Sequence, residues 1–206
     1  MKQVTIFRKF SQVIGHRTLP EILKAIQQGV YQEEVLAVRS AVQRGDQKIA
    51  DETKKQLHAL TVSGRFEGGR TMTNLKAYHS LLILDIDKLP KDVLEKSISV
   101  IRAIPYTHAC FLSPSGHGLK VIVQINSDQE QHLSAYLQVA EFYEHKLGLK
   151  IDRSGKDITR LCFFSFDKNL FFHPKSKVFV VKESVVKSLP LEAKMKIKPT
   201  SKAFPF

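Results

Sequence analysis

Leu81-Leu82-Ile83-Leu84-Asp85-Ile86-Asp87 is the stretch on which the fold of this chain turns. It opens as an unbroken apolar run, the composition of a strand buried on both faces. It closes with two carboxylates two residues apart. Side chains at i and i+2 of a strand point to the same face, so Asp85 and Asp87 stand side by side. Carboxylates held that close repel unless positive charge lies between them, and a divalent cation is the commonest solution. The competing reading is a strand end running into the solvated turn Asp87-Lys88-Leu89-Pro90, with both acids exposed. The stretch alone supports the two equally. The choice depends on whether distant parts of the chain supply partners.

Working outward, residues 92–104 place Val93, Leu94, Ile98, Ile101 and Ile104 at helical spacing and stop at Pro105. Residues 107–112 have the pattern of a strand and Ser113-Pro114-Ser115-Gly116-His117-Gly118 that of a turn, with a second strand at 119–125. Ser127-Asp128-Gln129-Glu130 has the form of a capping box ahead of a long helix. Leu133, Tyr136, Leu137, Ala140, Tyr143 and Leu147 form its apolar stripe, and Gly148 ends it. Short strands at 149–152 and 160–164 complete the series. The order strand, helix, strand, strand, helix, strand predicts an α+β fold built on a split βαβ sheet of ferredoxin- or RRM-like type. In that sheet the first strand lies between the third and fourth and runs antiparallel to both.

That topology brings one end of the first strand to the beginnings of the other two. Asp85, Asp87, Asp152, Ser115 and His117 then converge on one rim. Three carboxylates are hard oxygen ligands suited to Mg²⁺ or Mn²⁺, and a pair of such ions can clamp the oxygens of an in-line phosphoryl displacement. Gly116 and Gly118 let the turn backbone come close to a phosphate. His117 with Ser115 can hydrogen-bond a nucleotide phosphate, and Lys120 and Arg160 are candidates for neutralising the remaining charge. Plainer readings stand beside these. His117 is simply exposed in its turn, Asp152 caps the loop Arg153-Ser154-Gly155, and Arg160 pairs with Asp157 at the surface. Asp157 and Asp167 compete for the place of third acid.

Residues 1–80 form an N-terminal α/β region of the same domain, with a strand at 4–7 and a helix from Leu19-Pro20-Glu21 closed by Gly29. Helices at 32–44 and 46–58 and an extended segment at 59–66 lead to the basic loop Gly68-Gly69-Arg70. Arg65 and Arg70, flanking Phe66, are either contacts to a DNA backbone or solvated loop charges. Residues 81–182 form the core, with one more strand candidate at 177–181. Residues 183–206 form a basic C-terminal tail or linker.

The net charge of +12, from 32 Lys and Arg against 20 Asp and Glu, implies a polyanionic partner, with nucleic acid favoured over an acidic membrane surface. No apolar run reaches the length of a bilayer span and the first residues lack a signal-peptide core, so a cytoplasmic location without membrane contact is expected. Cys110 and Cys162 each lie in an apolar run and count as small buried hydrophobes, which implies no disulfide framework and argues against structural zinc.

The strings Ile83-Leu84-Asp85-Ile86-Asp87, Ser115-Gly116-His117 and Ile151-Asp152, in that order, resemble the motifs of the archaeo-eukaryotic primase superfamily. With Ser63-Gly64-Arg65-Phe66, Ser113-Pro114-Ser115-Gly116-His117-Gly118-Leu119-Lys120 and Asp157-Ile158-Thr159-Arg160-Leu161-Cys162-Phe163, the chain is similar over about residues 55 to 170 to the VirE amino-terminal domain family. The resemblance implies a primase-polymerase-like palm over 81–182 that adds NTP or dNTP on a DNA template, single-stranded or primed, using two divalent metals. It implies Asp85, Asp87 and Asp152 as metal ligands, His117 as a phosphate contact, and a helicase-type domain or protein as a partner. Two rival functions remain. One is a catalytically inactive palm-like domain binding single-stranded DNA. The other, a relaxase-type nuclease, ranks last because no His-x-His occurs in the chain.

Overall fold

The structure, a computed structural model, describes residues 2–182; the expected basic tail at 183–206 lies outside the described residues. The chain begins with a hairpin, β1 (Gln3–Arg8) and β2 (Gln12–Thr18), followed by α1 (Leu19–Gln28). The Glu21 carboxylate accepts from the Thr18 backbone N–H and hydroxyl, both at 2.7 Å, and closes the first turn of α1. Gly29, at φ 77°, ends it in the left-handed conformation that glycine adopts without penalty. Next come α2 (Gln32–Gln43), α3 (Gln47–Gln56), the short strands β3 (Ala59–Thr61) and β4 (Gly64–Phe66), and β5 (Leu75–Tyr78). Then follow β6 (Leu81–Ile86), α4 (Lys91–Ala103), β7 (Thr107–Leu112), β8 (Leu119–Gln124) and α5 (His132–Leu147). β9 (Leu161–Phe163) and β10 (Phe171–Phe172) are the last strands.

The opening stretch is β6, buried at all six positions. Its two faces enter two different cores. Leu82, Leu84 and Ile86 pack with Ile101, Tyr136, Val139 and Tyr143 under α4 and α5. Leu81 and Ile83 pack with Ile22 and Ile26 of α1, Leu60 of β3 and Cys162 of β9. A strand buried on both sides has no polar alternation, which is why its sequence is continuous Leu and Ile. The odd-numbered face, shared by Asp85 and Asp87, therefore looks toward the N-terminal region.

The strand order departs from the expected sheet at one point. β6 pairs with β8 and β8 with β7, all antiparallel, as a split βαβ requires. The fourth strand does not follow. Residues 149–152 form no strand, and β6 is an edge held there by one bond, Asp152 N–H to the Asp85 carbonyl at 3.2 Å. β9 joins the other sheet, in the order β2-β1-β3-β9, through Leu60 opposite Cys162. β10 extends the first sheet beyond β7. The fold is thus mixed α+β with an antiparallel βαββ unit, and a bend stands where the fourth strand is expected.

Four smaller expectations are corrected. Ser127 does not cap α5; the Asp128 carboxylate accepts from Gln131 N–H at 2.9 Å and the helix starts at His132. The buried face of α5 is His132, Ala135, Tyr136, Val139, Ala140 and Tyr143, leaving Leu133 and Leu137 49% and 43% exposed. The extended segment at 59–66 is broken into β3 and β4. At 177–181 there is only a bridge between Ile125 and Phe179. No helix among the described residues is long and apolar enough to cross a membrane, and both cysteines are free and buried.

Candidate metal centre

Strand register places the first cation beside Asp85. Lys120 stands directly opposite it on β8, and its ammonium donates to Asp85 Oδ1. Arg160, in the turn before β9, donates to Asp85 Oδ2 at 2.8 Å and lies 3.7 Å from Asp152 Oδ2. Asp85 is 3% exposed and Lys120 7%, so this ion pair is buried. Burial alone would push the Asp85 carboxyl up, but the Lys120 ammonium and the Arg160 guanidinium reverse that and hold it below the usual carboxylate range. Burial would likewise lower Lys120, and Asp85 reverses it, so the ammonium is held charged.

Asp87 follows at the exposed end of the strand. The chain then turns at Lys88, at φ 58°, and Leu89 N–H donates to the His117 carbonyl at 2.8 Å. Asp152 is exposed and makes the cap that its sequence allows. Ser154 N–H donates to Asp152 Oδ1 at 2.9 Å, and the Ser154 hydroxyl donates to Oδ2. These two bonds hold its carboxyl below the usual range. The Tyr136 hydroxyl donates to the Asp152 carbonyl at 2.7 Å, fixing the bend from α5. Gly155 leaves room for that hydroxyl, since a Cβ there would stand 3.2 Å from it.

Ligand oxygens of Asp85, Asp87 and Asp152 lie within 4.8 Å of one another. On an octahedral Mg²⁺ cis ligands stand about 3.0 Å apart and trans ligands about 4.2 Å, so side-chain closure of up to about 2 Å brings all three onto one ion. The donor set is entirely hard oxygen, which suits Mg²⁺ or Mn²⁺. Each Asp85 oxygen keeps a second lone pair beyond the bond from Lys120 or Arg160. The residues present therefore fit a divalent metal.

The turn Ser113 to Gly118 closes over this rim. A Cβ on Gly118 would meet the Ile86 carbonyl at 2.6 Å and Asp87 Oδ1 at 3.0 Å, so glycine is required for the turn to touch the strand end. The close approach that Gly118 allows is thus to the strand end, and that of Gly116 is to the Arg39 side chain. Arg39 of α2 braces the turn by donating to the Phe166 carbonyl at 2.7 Å and the Pro114 carbonyl at 3.3 Å. Ser115 and the exposed His117 share a cleft of about 420 Å³ with Asp87 and Lys54 of α3. A second cleft, about 300 Å³, is lined by Asp85, Lys120, Arg160, Arg70 and Phe10, and again by Asp87 and Lys54. Lys54 and Asp87 form the wall between the two.

The remaining candidates separate. Arg70 lines the second cleft and donates to the Phe10 carbonyl at 2.8 Å and the Thr159 carbonyl at 2.7 Å. Arg65 pairs with Glu67 at 2.7 Å. Asp157 lines the second cleft, whereas Asp167 accepts from Leu112 N–H and Asn169 N–H and is used in the frame. Arg160 bonds Asp85, with no ion pair to Asp157. Sequence reasoning missed Lys54, Arg39 and Phe10. The first two sit on helices with no motif, and Phe10 belongs to a hairpin whose second strand, broken by Gly15 and charged at Arg17, carries little strand signal.

A family model described as BT4734-like, N-terminal domain matches residues 52–172, more than half of the chain and all three acids with their cationic partners. No curated protein and no solved structure matches.

Proposed function

The chain belongs to the BT4734-like N-terminal domain family, which is primase-polymerase-like and related to the VirE amino-terminal domain, and from that premise we propose that it is a DNA-directed nucleotidyltransferase. The observation that carries the reading is the triad Asp85, Asp87 and Asp152, whose oxygens converge from β6 and from the bend after α5. The three carboxylates would hold Mg²⁺ or Mn²⁺, which when bound offsets charge on the phosphates and clamps the attacking and leaving oxygens. Asp87 and Asp152, both exposed, face the substrate side. Asp85 is the fixed member, held by Lys120 and Arg160. Ser115 and His117, which share a cleft with Asp87, would bind the phosphates of an NTP or dNTP, with Lys54 supplying charge between the two clefts. Arg70 and the overall basic charge serve the DNA strand.

Asp87→Asn tests this cleanly because Asp87 is exposed and its removal leaves no buried charge behind. Incorporation of nucleotides on a single-stranded or primed template with Mn²⁺ or Mg²⁺ is expected to fall by about a hundredfold or more, the size of effect seen when one charge-stabilising group is lost. Mn²⁺ is expected to raise the thermal midpoint of the wild-type protein and to lose that effect in the variant. Unchanged incorporation in Asp87→Asn refutes the assignment.

One observation favours a second reading, a catalytically inactive domain that binds single-stranded DNA. Both Asp85 oxygens are already engaged by cations of the chain itself. That reading expects tight, strongly salt-dependent binding to single strands with no incorporation by the wild-type protein under any metal.

A further inference from the structure

The hairpin that the sequence hides ends in an unusual tip. Lys9 and Phe10, neither of them glycine, both adopt positive φ, 49° and 65°. Tight hairpin turns of this hand normally take Asn-Gly or Asp-Gly, because a Cβ disfavours the left-handed region. Such backbone persists only where the surroundings impose it. Here Arg70 does so, tying the Phe10 carbonyl to the Thr159 carbonyl of the loop before β9. The tip is thereby fixed to the rim of the metal centre.

The side chain so placed is not used in the core. Phe10 is 40% exposed and meets Phe163 edge to face, at 5.9 Å between centroids and 82° between planes. Lys54 lies over the other ring, its ammonium 5.6 Å from the Phe163 centroid. Phe10 lines the same cleft as Asp85 and Asp87, with Arg70 and Arg160 beside it. Arg160 Nε is buried and has no hydrogen-bond partner, the condition of a donor that awaits an acceptor. A half-exposed aromatic ring, a guanidinium that carries one unsatisfied N–H, and two carboxylates thus line one cleft of about 300 Å³.

We propose that Phe10 is the stacking platform for a nucleobase whose phosphate is received by Arg160 and Arg70. The inference rests on the nucleotidyltransferase reading above and adds to it the residue that holds the base. Stacking on an aromatic face tolerates every base, so Phe10 positions the nucleotide without selecting its sequence. The strained tip and its Arg70 clamp fix the ring before the base arrives, which reduces the ordering that binding requires. The base comes either from a free nucleoside triphosphate or from a DNA strand, and the two are separable by experiment.

The chain contains no tryptophan, so Phe10→Trp places a lone indole at the tip. ATP, GTP and a short oligothymidylate, each with and without Mn²⁺, are titrated against its emission, and calorimetry measures the same probes on wild type, Phe10→Ala and Phe10→Leu. The expected result is quenching of the indole, with binding weakened about 5- to 100-fold in both Phe10→Ala and Phe10→Leu. Quenching by the triphosphates identifies the incoming nucleotide, and quenching by the oligonucleotide identifies the template or primer strand. Phe10→Leu keeps an apolar side chain at the tip, so its loss of affinity is specific to the ring. If wild type binds a probe and both variants bind it equally well without quenching, the platform is refuted while the nucleotidyltransferase reading stands. If wild type binds neither nucleotide nor oligonucleotide, both fall.

Discussion

Asp85→Asn is expected to damage the fold before it damages any chemistry. The carboxylate is buried between the Lys120 ammonium, itself 7% exposed, and the Arg160 guanidinium at 2.8 Å. Removing one partner of such a pair leaves a buried cation uncompensated, at a cost of about 3–5 kcal/mol. In a domain of this size each kcal/mol moves the thermal midpoint by roughly 2–4 °C, so the variant should melt about 6–20 °C below wild type. Asp87→Asn, exposed and unpaired in the frame, should melt within about 2 °C of wild type, as ordinary surface changes do. The double variant Asp85→Leu with Lys120→Met removes both buried charges and should recover most of the lost stability, because apolar replacement of a buried pair is near neutral. The sign with pH is also set. The Asp85 carboxyl lies below its unfolded value, so its contribution is complete above about pH 4 and is lost as pH falls through the lowered folded value. Thermal unfolding followed by circular dichroism measures all three variants. An Asp85→Asn midpoint within about 2 °C of wild type would refute the buried-pair account.

Two further outcomes are fixed by the geometry. Burial pushes the His132 imidazole down to about 4, while its Nδ1 pairs with the Tyr78 hydroxyl at 2.9 Å. The unfolded chain takes up that proton near pH 6.5 and the folded chain does not. Stability should therefore decline as pH falls from about 6.5 toward 4, by roughly 3 kcal/mol in full, and urea unfolding should show a shallower decline in His132→Gln. Equal pH slopes in the two proteins would exclude His132 as the source. Gly118→Ala drives a methyl to 2.6 Å from the Ile86 carbonyl, which is backbone and cannot step aside. It should destabilise by about 1–3 kcal/mol and lower metal-dependent incorporation by pushing His117 away from Asp87, and a wild-type melt with wild-type incorporation would contradict the contact.

How much of this was legible from sequence follows the range of the interactions involved. α4, β7, β8 and the close of α5 are set by local periodicity and by Pro105 and Gly148, and they lie within about a residue of where the pattern puts them. The phase of α5 was not, because Leu133 and Leu137 continue the apolar stripe and only the opposing residues of β6 and β8 decide which side is covered. The fourth strand failed for the same reason. Ile151 and Asp152 have strand composition, yet Asp152 turns its carboxylate onto Ser154 N–H, and the chain bends after one bond to β6. A carboxylate that caps its own loop competes with the ladder, and the short segment offers too few ladder bonds to win. Leu161-Cys162-Phe163 fits either sheet on composition alone, and its pairing with β3 is a long-range outcome.

The same distinction separates the two acids with which the fold begins. Sequence presents Asp85 and Asp87 as equivalent, since alternation places both on one face. What divides them lies on other strands. Lys120 is opposite Asp85 by register and Arg160 arrives from the turn before β9, while Asp87 lies just past the strand end, exposed, with the Gly118 backbone packed against it. Asp85 thereby loses its solvent but gains two fixed cations, and Asp87 keeps its solvent and its freedom to take a ligand. A cation is already part of the site before any metal binds. With Lys120 and Arg160 in place, the three acids carry one net negative charge rather than three, so their mutual repulsion is largely offset before a divalent ion arrives and that ion meets a weaker attraction than the bare motif implies. The Asp-x-Asp pattern marks where charge is concentrated. The cations that the fold brings to it decide which of the two acids remains available.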